Sequence, residues 1–290
     1  MYYNNYIKKG ENKVKKFRLL LLCLVVLLAS SLSGCSLLNK GLVKLNLKND
    51  NFNYIQENKV EKIIIQSTRD SGFRFIMNDN NAIEDVYRIL SKGKIKEKKT
   101  SLDPDYLVEV YVGDEVKSYN YVVSVDERGV GNFYDEDNVY LISQKLDDTI
   151  LSNLSTIRKP KNFEDIYYNS ILEVLKVKKD VLNSGDNKVG ININGDVDCL
   201  KYMFSVDMKT FEKNMNKLIP GATITQSDTS DYDTVVTVKN RGYSTKVFKT
   251  TIIVDDKVNK SYETYYVQGN YQNKSWNITV SEPNVKPENW

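Results

Sequence analysis

A short apolar block near the N-terminus constrains this chain more than any other feature. The block runs from Leu19 to Ala29 and follows a segment with six basic residues and one acid, Glu11. A membrane-spanning helix needs about 20 apolar residues. A short transmembrane anchor would therefore have to include Ala29–Leu38, where serines and a glycine interrupt the apolar run. A basic region, a short apolar region and then small residues are typical of a secretory signal peptide, which we predict over residues 1–34.

The residues after the apolar block suggest what happens to this signal. Leu32-Ser33-Gly34-Cys35 resembles the lipobox of bacterial lipoprotein precursors, a large aliphatic residue, a small residue, Gly or Ala, and Cys. The resemblance implies cleavage between Gly34 and Cys35 and a diacylglycerol on the Cys35 sulfur. Two acyl chains hold a protein on a bilayer firmly, whereas one binds reversibly. The expected location is the extracytoplasmic face of the cell membrane.

The charge of the chain depends on whether the signal is counted. The full sequence has 41 Lys and Arg against 38 Asp and Glu, a net charge of +3. Six of the basic residues and one acid precede residue 35, so the processed chain is close to neutral and slightly acidic. This balance gives no reason to expect a nucleic-acid partner.

Cysteine and histidine usage excludes several kinds of chemistry. Of the three cysteines, Cys23 would leave with the signal, Cys35 would carry lipid, and Cys199 would remain alone, so we expect no disulfide. The chain has no histidine, which removes Ser-His-Asp and Cys-His nucleophiles and the usual zinc sites. A low cysteine content is common in lipoproteins of Gram-positive bacteria, which lack an oxidising periplasm.

The first half of the processed chain is predicted to be a tether over 35–58 and an α+β domain over 59–158. The tether is rich in Asn and Lys. In the domain, period-2 alternation predicts strands, and Ile83, Val86, Tyr87 and Leu90 share one face of a helix capped within residues 78–80. The predicted order is hairpin, helix, antiparallel meander and a final leucine-rich helix, with a lysine-rich loop over 91–101.

A second pattern is spread over residues 60–157 of this domain. It comprises Asp105-Tyr106, Tyr119–Val125, Phe133-Tyr134, Tyr140–Ser143 and the last helix. In this pattern the domain resembles the YhfM-like domain of Gram-positive lipoproteins. The resemblance implies a fold and a cell-envelope setting, and it carries no established activity.

A second α+β domain is predicted over 160–282, after Lys159-Pro160, followed by a loosely ordered tail over 283–290. The domain is predicted to open with a helix over 163–182. A strand and a helix capped by Asp207 follow, and then a long antiparallel meander. A helix wrapped by such a sheet is similar, at the level of fold, to cystatin-like or NTF2-like domains, which implies no function.

Four groups of residues have spacings that chemistry could use. Ser91 and Lys94 fit the S-x-x-K pattern of penicillin-recognising enzymes but lack its companion motifs, so a solvated loop is the preferred interpretation. Lysines 92–99 could contact anionic polymers or lipid headgroups. Trp276 and the tyrosines at 262, 265 and 266 are more typical of core and sheet-face positions than of a ligand platform. Three acidic groups could gather Ca²⁺ ligands, although turns use the same residues: 135–138, 194–198 and 228–233.

We therefore expect a lipid-anchored, extracytoplasmic envelope protein with two α+β domains and a non-catalytic binding or assembly role. Its partners would be the membrane, through diacylglycerol on Cys35, and an unknown envelope protein or small ligand. One alternative is a small-ligand binder with a cavity in the C-terminal domain. A weaker one is an envelope enzyme using carboxylates or a Ser/Lys pair. We predict no catalytic residues, metal or cofactor.

Overall fold

The structure is a computed structural model that describes residues 48–56, 60–125, 127–152, 159–226, 228–288 and 290. It contains two antiparallel-sheet regions with packed helices, which confirms the predicted α+β fold. Within these residues, no helix is long and apolar enough to cross a membrane.

The first sheet has seven strands, in the order β2-β1-β4-β5-β6-β7-β3, and every pairing between named strands is antiparallel. The strands are β1 (Val60–Ser67), β2 (Arg74–Met77), β3 (Lys94–Lys96), β4 (Tyr106–Val112), β5 (Glu115–Tyr121), β6 (Phe133–Tyr134) and β7 (Val139–Leu141). The helices are α1 (Asn53–Gln56), α2 (Asn80–Leu90) and α3 (Lys145–Ser152). The predicted hairpin, helix, meander and helix are all present.

Alternating apolar residues build the core of the first domain. Ile63 faces Val110 and Ile65 faces Val108 across the β1–β4 ladder, and all four side chains are buried. The predicted stripe of α2 packs against this face. Asp79 begins the helix, because its Oδ1 accepts hydrogen bonds from the Asn81 and Ala82 amides at 3.0 Å.

Two segments of the first domain differ from the prediction. Residues 48–56, placed in the tether, belong to the domain: Phe52 is fully buried and its ring centroid lies 4.8 Å from that of Tyr140. Asn49 Nδ2 donates to the Leu90 and Gly93 carbonyls at 3.0 and 2.8 Å, which satisfies acceptors at the end of α2. The predicted lysine loop contains β3, an edge strand paired with β7. The boundary between the predicted tether and the domain therefore lies at or before residue 48 and not at residue 58.

The second sheet has six strands in the order β13-β12-β11-β10-β8-β9. The strands are β8 (Val189–Asn192), β9 (Thr223–Ile224), β10 (Thr234–Tyr243), β11 (Val247–Asp256), β12 (Ser261–Gln272) and β13 (Ser275–Val280). The helices are α4 (Phe163–Val177), α5 (Lys179–Leu182), α6 (Val197–Leu200) and α7 (Ser205–Leu218). The long meander from β10 to β13 is antiparallel, as predicted. In contrast, β8 pairs in parallel with β10 and β9, because helices α6 and α7 carry the chain across between β8 and β9.

Helix α4 packs on the sheet, where small residues allow a close approach. Ile166 and Phe163 are fully buried in the core of this domain. A Cβ at Gly269 on β12 would lie 2.2 Å from Ile166 Cδ1, so the strand needs glycine at the crossing point. The predicted single helix over 163–182 is divided at Lys178 into α4 and α5.

The predicted loose tail is attached to the sheet. The Asn284 amide donates to the Thr264 carbonyl at 2.8 Å, and Asn284 Oδ1 accepts from the Thr264 amide at 2.9 Å. Trp290 lies edge-on to Tyr266, with ring centroids 5.2 Å apart. The tail therefore covers part of the β12 edge that β13 does not pair with.

Candidate functional site

The two residues with the clearest sequence prediction, Gly34 and Cys35, lie outside the described residues. The predicted signal and cleavage position therefore stay predictions. The other candidates can be located.

The Ser91–Lys94 pattern lies at the end of a helix and not at its start. Ser91 is the C-cap of α2, is fully buried, and its hydroxyl faces the Arg88 carbonyl at 3.5 Å. Lys94 begins the edge strand β3, and its side chain is exposed. The serine that this pattern would use as a nucleophile is therefore closed to solvent.

The acidic side chains considered for calcium accept hydrogen bonds from the protein's own amide and hydroxyl groups. Asp135 Oδ1 accepts from the Asp137 and Asn138 amides at 2.9 and 2.6 Å, and Asp228 Oδ1 accepts from the Ser230 amide at 2.8 Å. Asp196 accepts hydrogen bonds from the Tyr167 hydroxyl and the Asn240 amide. No group of three or more metal-type ligands is found in the part of the chain that the structure describes.

The C-terminal domain has two grooves at one end of its sheet. The larger, about 340 Å³, lies between the loop 184–187 and the β11–β12 turn. The smaller, about 230 Å³, lies beside the Lys178–Glu263 ion pair, whose atoms are 3.0 Å apart. The larger groove is lined largely by polar and charged side chains, unlike the mostly apolar linings that small-molecule sites usually have. The smaller groove combines the apolar side chains of Val181, Leu182 and Val254 with polar ones.

The most developed polar arrangement joins the two domains. Asp105, just before β4, is buried, and its Oδ1 accepts from Arg69 Nη1 at 2.6 Å and from the Ser205 amide at 2.8 Å. Its Oδ2 accepts from the Val123 amide at 2.9 Å. Arg69 also donates to the Ser205 hydroxyl, which itself donates to the Asp103 carbonyl at 2.8 Å. We call Arg69, Asp105 and Ser205 the interdomain joint.

The joint places a carboxylate of one domain at the N-terminus of a helix of the other. Ser205 is the first residue of α7, and its amide has no partner within the helix. The negative charge of Asp105 also favours this end of the helix dipole. This arrangement corrects the prediction that Asp207 caps the helix, since Asp207 lies in the first turn.

Apolar contacts extend the joint into the first domain. Phe204, the residue before α7, is buried in the core of that domain, with its ring centroid 6.2 Å from that of Tyr106. Val206 packs against the same cluster. Phe204 therefore inserts from the second domain into the first. Because these partners are about 100 residues apart, no local sequence signal could have found them.

Unpartnered buried polar atoms surround the joint. Within the described residues, Asp147 Oδ1 and the hydroxyls of Tyr106, Tyr121 and Tyr168 are buried without a hydrogen-bond partner. Burial, and then nearby carboxylates including Asp105, raise the pKa of all three tyrosines. These hydroxyls therefore stay protonated and neutral at physiological pH.

Two carboxyl groups beside the joint have a raised pKa. Burial raises the pKa of Asp147 to about 6; Lys159 opposes the shift, and Asp148, Asp105 and Asp207 add to it. Burial and the charge of Glu164 raise the pKa of Asp207 to about 6. Such groups could exchange protons near neutral pH, but here they lie beside a structural contact between domains.

Asp147→Asn should change how stability depends on pH. The folded protein holds the Asp147 proton more tightly than the unfolded chain does. Proton binding at Asp147 therefore stabilises the folded state below about pH 4, and this stabilisation is lost as the pH rises through 6. We expect the variant to exceed the wild type in free energy of unfolding by roughly 1–2 kcal/mol at pH 7 and to match it near pH 4. Urea denaturation at the two pH values measures this. The same difference in free energy of unfolding at pH 7 and at pH 4 would contradict the prediction. The control is Asp114→Asn, a change at an exposed position, which should show no such pH dependence.

Comparison with known proteins identifies the first domain. Residues 56–160 match the family described as YhfM protein, a range that runs from the end of α1 past α3 to the domain boundary. This match confirms the predicted YhfM-like region. No curated protein and no solved structure gave a match.

Proposed function

We propose that this chain is a lipid-anchored protein of the cell envelope with a non-catalytic binding or assembly role on the extracytoplasmic face. The observation that carries the proposal is the Leu32-Ser33-Gly34-Cys35 sequence directly after a basic and then apolar leader. A diacylglycerol on Cys35 would supply the two acyl chains that stable anchoring needs.

The folded part agrees with such a role. Its first domain begins by residue 48, only a short way from Cys35, so the body would stay near the bilayer. The joint links the domains through hydrogen bonds, an ion pair and the inserted Phe204. A body held in this way would present a fixed surface to a partner, which suits assembly better than a mechanism that needs domain closure.

Cys35→Ala tests the anchor. The variant cannot form the thioether, so we expect it to lose incorporation of labelled fatty acid and to keep its leader, residues 1–34. Fractionation and metabolic labelling of cells that express each form measure this. The matched control is Cys199→Ala, which removes a buried thiol and should keep the lipid. Labelling of the Cys35→Ala variant equal to that of the wild type would refute the anchor.

A further inference from the structure

A basic groove lies where the described chain begins. Its lining consists of Lys48, Asn49, Asp50, Gly93, Lys94, Ile95 and Lys96, and its volume is about 460 Å³. Strand β3 forms one side of the groove and is an edge of the first sheet. We call this the β3 edge.

Lysines dominate the charge of the β3 edge. Residues 92–99 carry Lys92, Lys94, Lys96, Lys98 and Lys99, and Lys48 lies across the groove. The acids among and beside these residues are Glu97 and Asp50, and the acidic turn 135–137 leads into β7 next to Lys96, so the excess of basic charge is greatest at the end with Lys48 and Lys94. Ile95 is 66% exposed and lies between two lysines in the strand. Because successive side chains of a strand point to opposite faces, Ile95 lies on the face opposite Lys94 and Lys96, so a membrane can contact all three only along the edge of the strand. Basic and exposed aliphatic side chains along one edge suit a surface of phosphate headgroups above acyl chains.

The short distance along the chain between Cys35 and Lys48 also favours a membrane surface as the partner of the β3 edge. Residues 36–47 separate Cys35 from Lys48, and even a fully extended chain of that length spans only about 40 Å. A diacylglycerol on Cys35, on which this inference rests, would keep Lys48 and its groove within that distance of the bilayer. Such tethering makes the contact effectively intramolecular, so weak individual attractions suffice.

We propose that the β3 edge lies on an anionic lipid surface and orients the anchored protein. The lysines contact headgroup phosphates, and Ile95 enters the interface between headgroups and acyl chains. Lysines on an edge strand also discourage pairing with another strand, which favours a lipid surface over an added peptide. Each lysine near such a surface strengthens attachment about five-fold, and salt weakens it because exposed charges are screened over roughly 8 Å.

Fluorescent labels on the two edges of one sheet test this orientation. The chain is expressed from its full sequence in a Gram-positive host, extracted from the cells with detergent and reconstituted with vesicles of phosphatidylcholine, with or without phosphatidylglycerol. It carries Ile95→Cys, labelled with an environment-sensitive dye. The matched control is Ile76→Cys on β2, the opposite edge, where the native side chain is 53% exposed. Cys199 is buried and should not take the dye.

We expect a blue shift and protection from iodide at position 95 in anionic vesicles, and neither at position 76. Lys94→Gln/Lys96→Gln should reduce the contact roughly 25-fold, and high salt should abolish the protection. If the protein floats with the vesicles but iodide quenches the dye equally at positions 95 and 76, the proposed orientation is wrong while the anchor stands. Equal protection in neutral vesicles, or protection without vesicles, overturns the anionic-lipid assignment. A protein that does not float refutes the anchor and this inference with it.

Discussion

Asp105→Ala should lower the free energy of unfolding by about 3–5 kcal/mol. The change removes the acceptor for Arg69, for the Ser205 amide and for the Val123 amide. The buried amide donors then lose their acceptor, and the cost of their desolvation is no longer offset. Arg69 also keeps a largely buried charge without its carboxylate partner. Because Ser205 begins α7 in the other domain, the damage should also weaken the contact between the domains.

Urea denaturation of the full chain measures this loss, and two spectroscopic probes show whether the domains separate. We expect one transition for the wild type and two for the variant, with the second domain unfolding at its own urea concentration. The control is Asp85→Ala, which removes the exposed ion pair with Arg88 on α2 and should cost less than about 1 kcal/mol. Equal losses for the two variants would show that the joint contributes no more than a surface pair.

Phe52→Ala should lower the free energy of unfolding by about 3–5 kcal/mol, the cost of a large cavity in a core. Phe52 is fully buried, and its ring lies 4.8 to 6.0 Å from the rings of Tyr119, Phe133 and Tyr140. The prediction tests whether the residues just before α1 belong to the folded domain, as the structure places them, or to a tether.

Gln56→Ala is the matched control, because Gln56 is exposed at the C-terminal end of α1, the short helix that directly follows Phe52. It should change the free energy of unfolding by less than about 0.5 kcal/mol. Thermal and urea unfolding of both variants measure the difference. A Phe52→Ala variant as stable as the control would show that this segment is not part of the folded domain.

Periodic local patterns made most of the first domain predictable. The stripe on α2, its cap near Asp79 and the alternation in β4 and β5 are each decided by neighbours within one element. Phe52 was missed because it stands with Tyr54 in an Asn- and Lys-rich segment that has no apolar periodicity, and its burial depends on partners far along the chain. Tertiary packing decides such positions.

The interdomain joint could not be predicted for the same reason. Asp105 stood out in the sequence only as part of a family-like pattern, and nothing near it indicates a bond to Ser205. Similarly, the strand at β8 follows from its apolar residues, whereas its parallel pairing with β10 depends on the helices between β8 and β9. The acidic turns were predicted well, since Asp135 and Asp228 bond to amides two or three residues away.

The mass of the intact protein extracted from membranes tests the central proposal most directly. A lipid-anchored protein should have the mass of a chain that begins at Cys35 plus a diacylglycerol, and fragmentation should place the lipid on that residue. A protein that retains residues 1–34, or one that begins elsewhere without lipid on Cys35, would contradict the proposal.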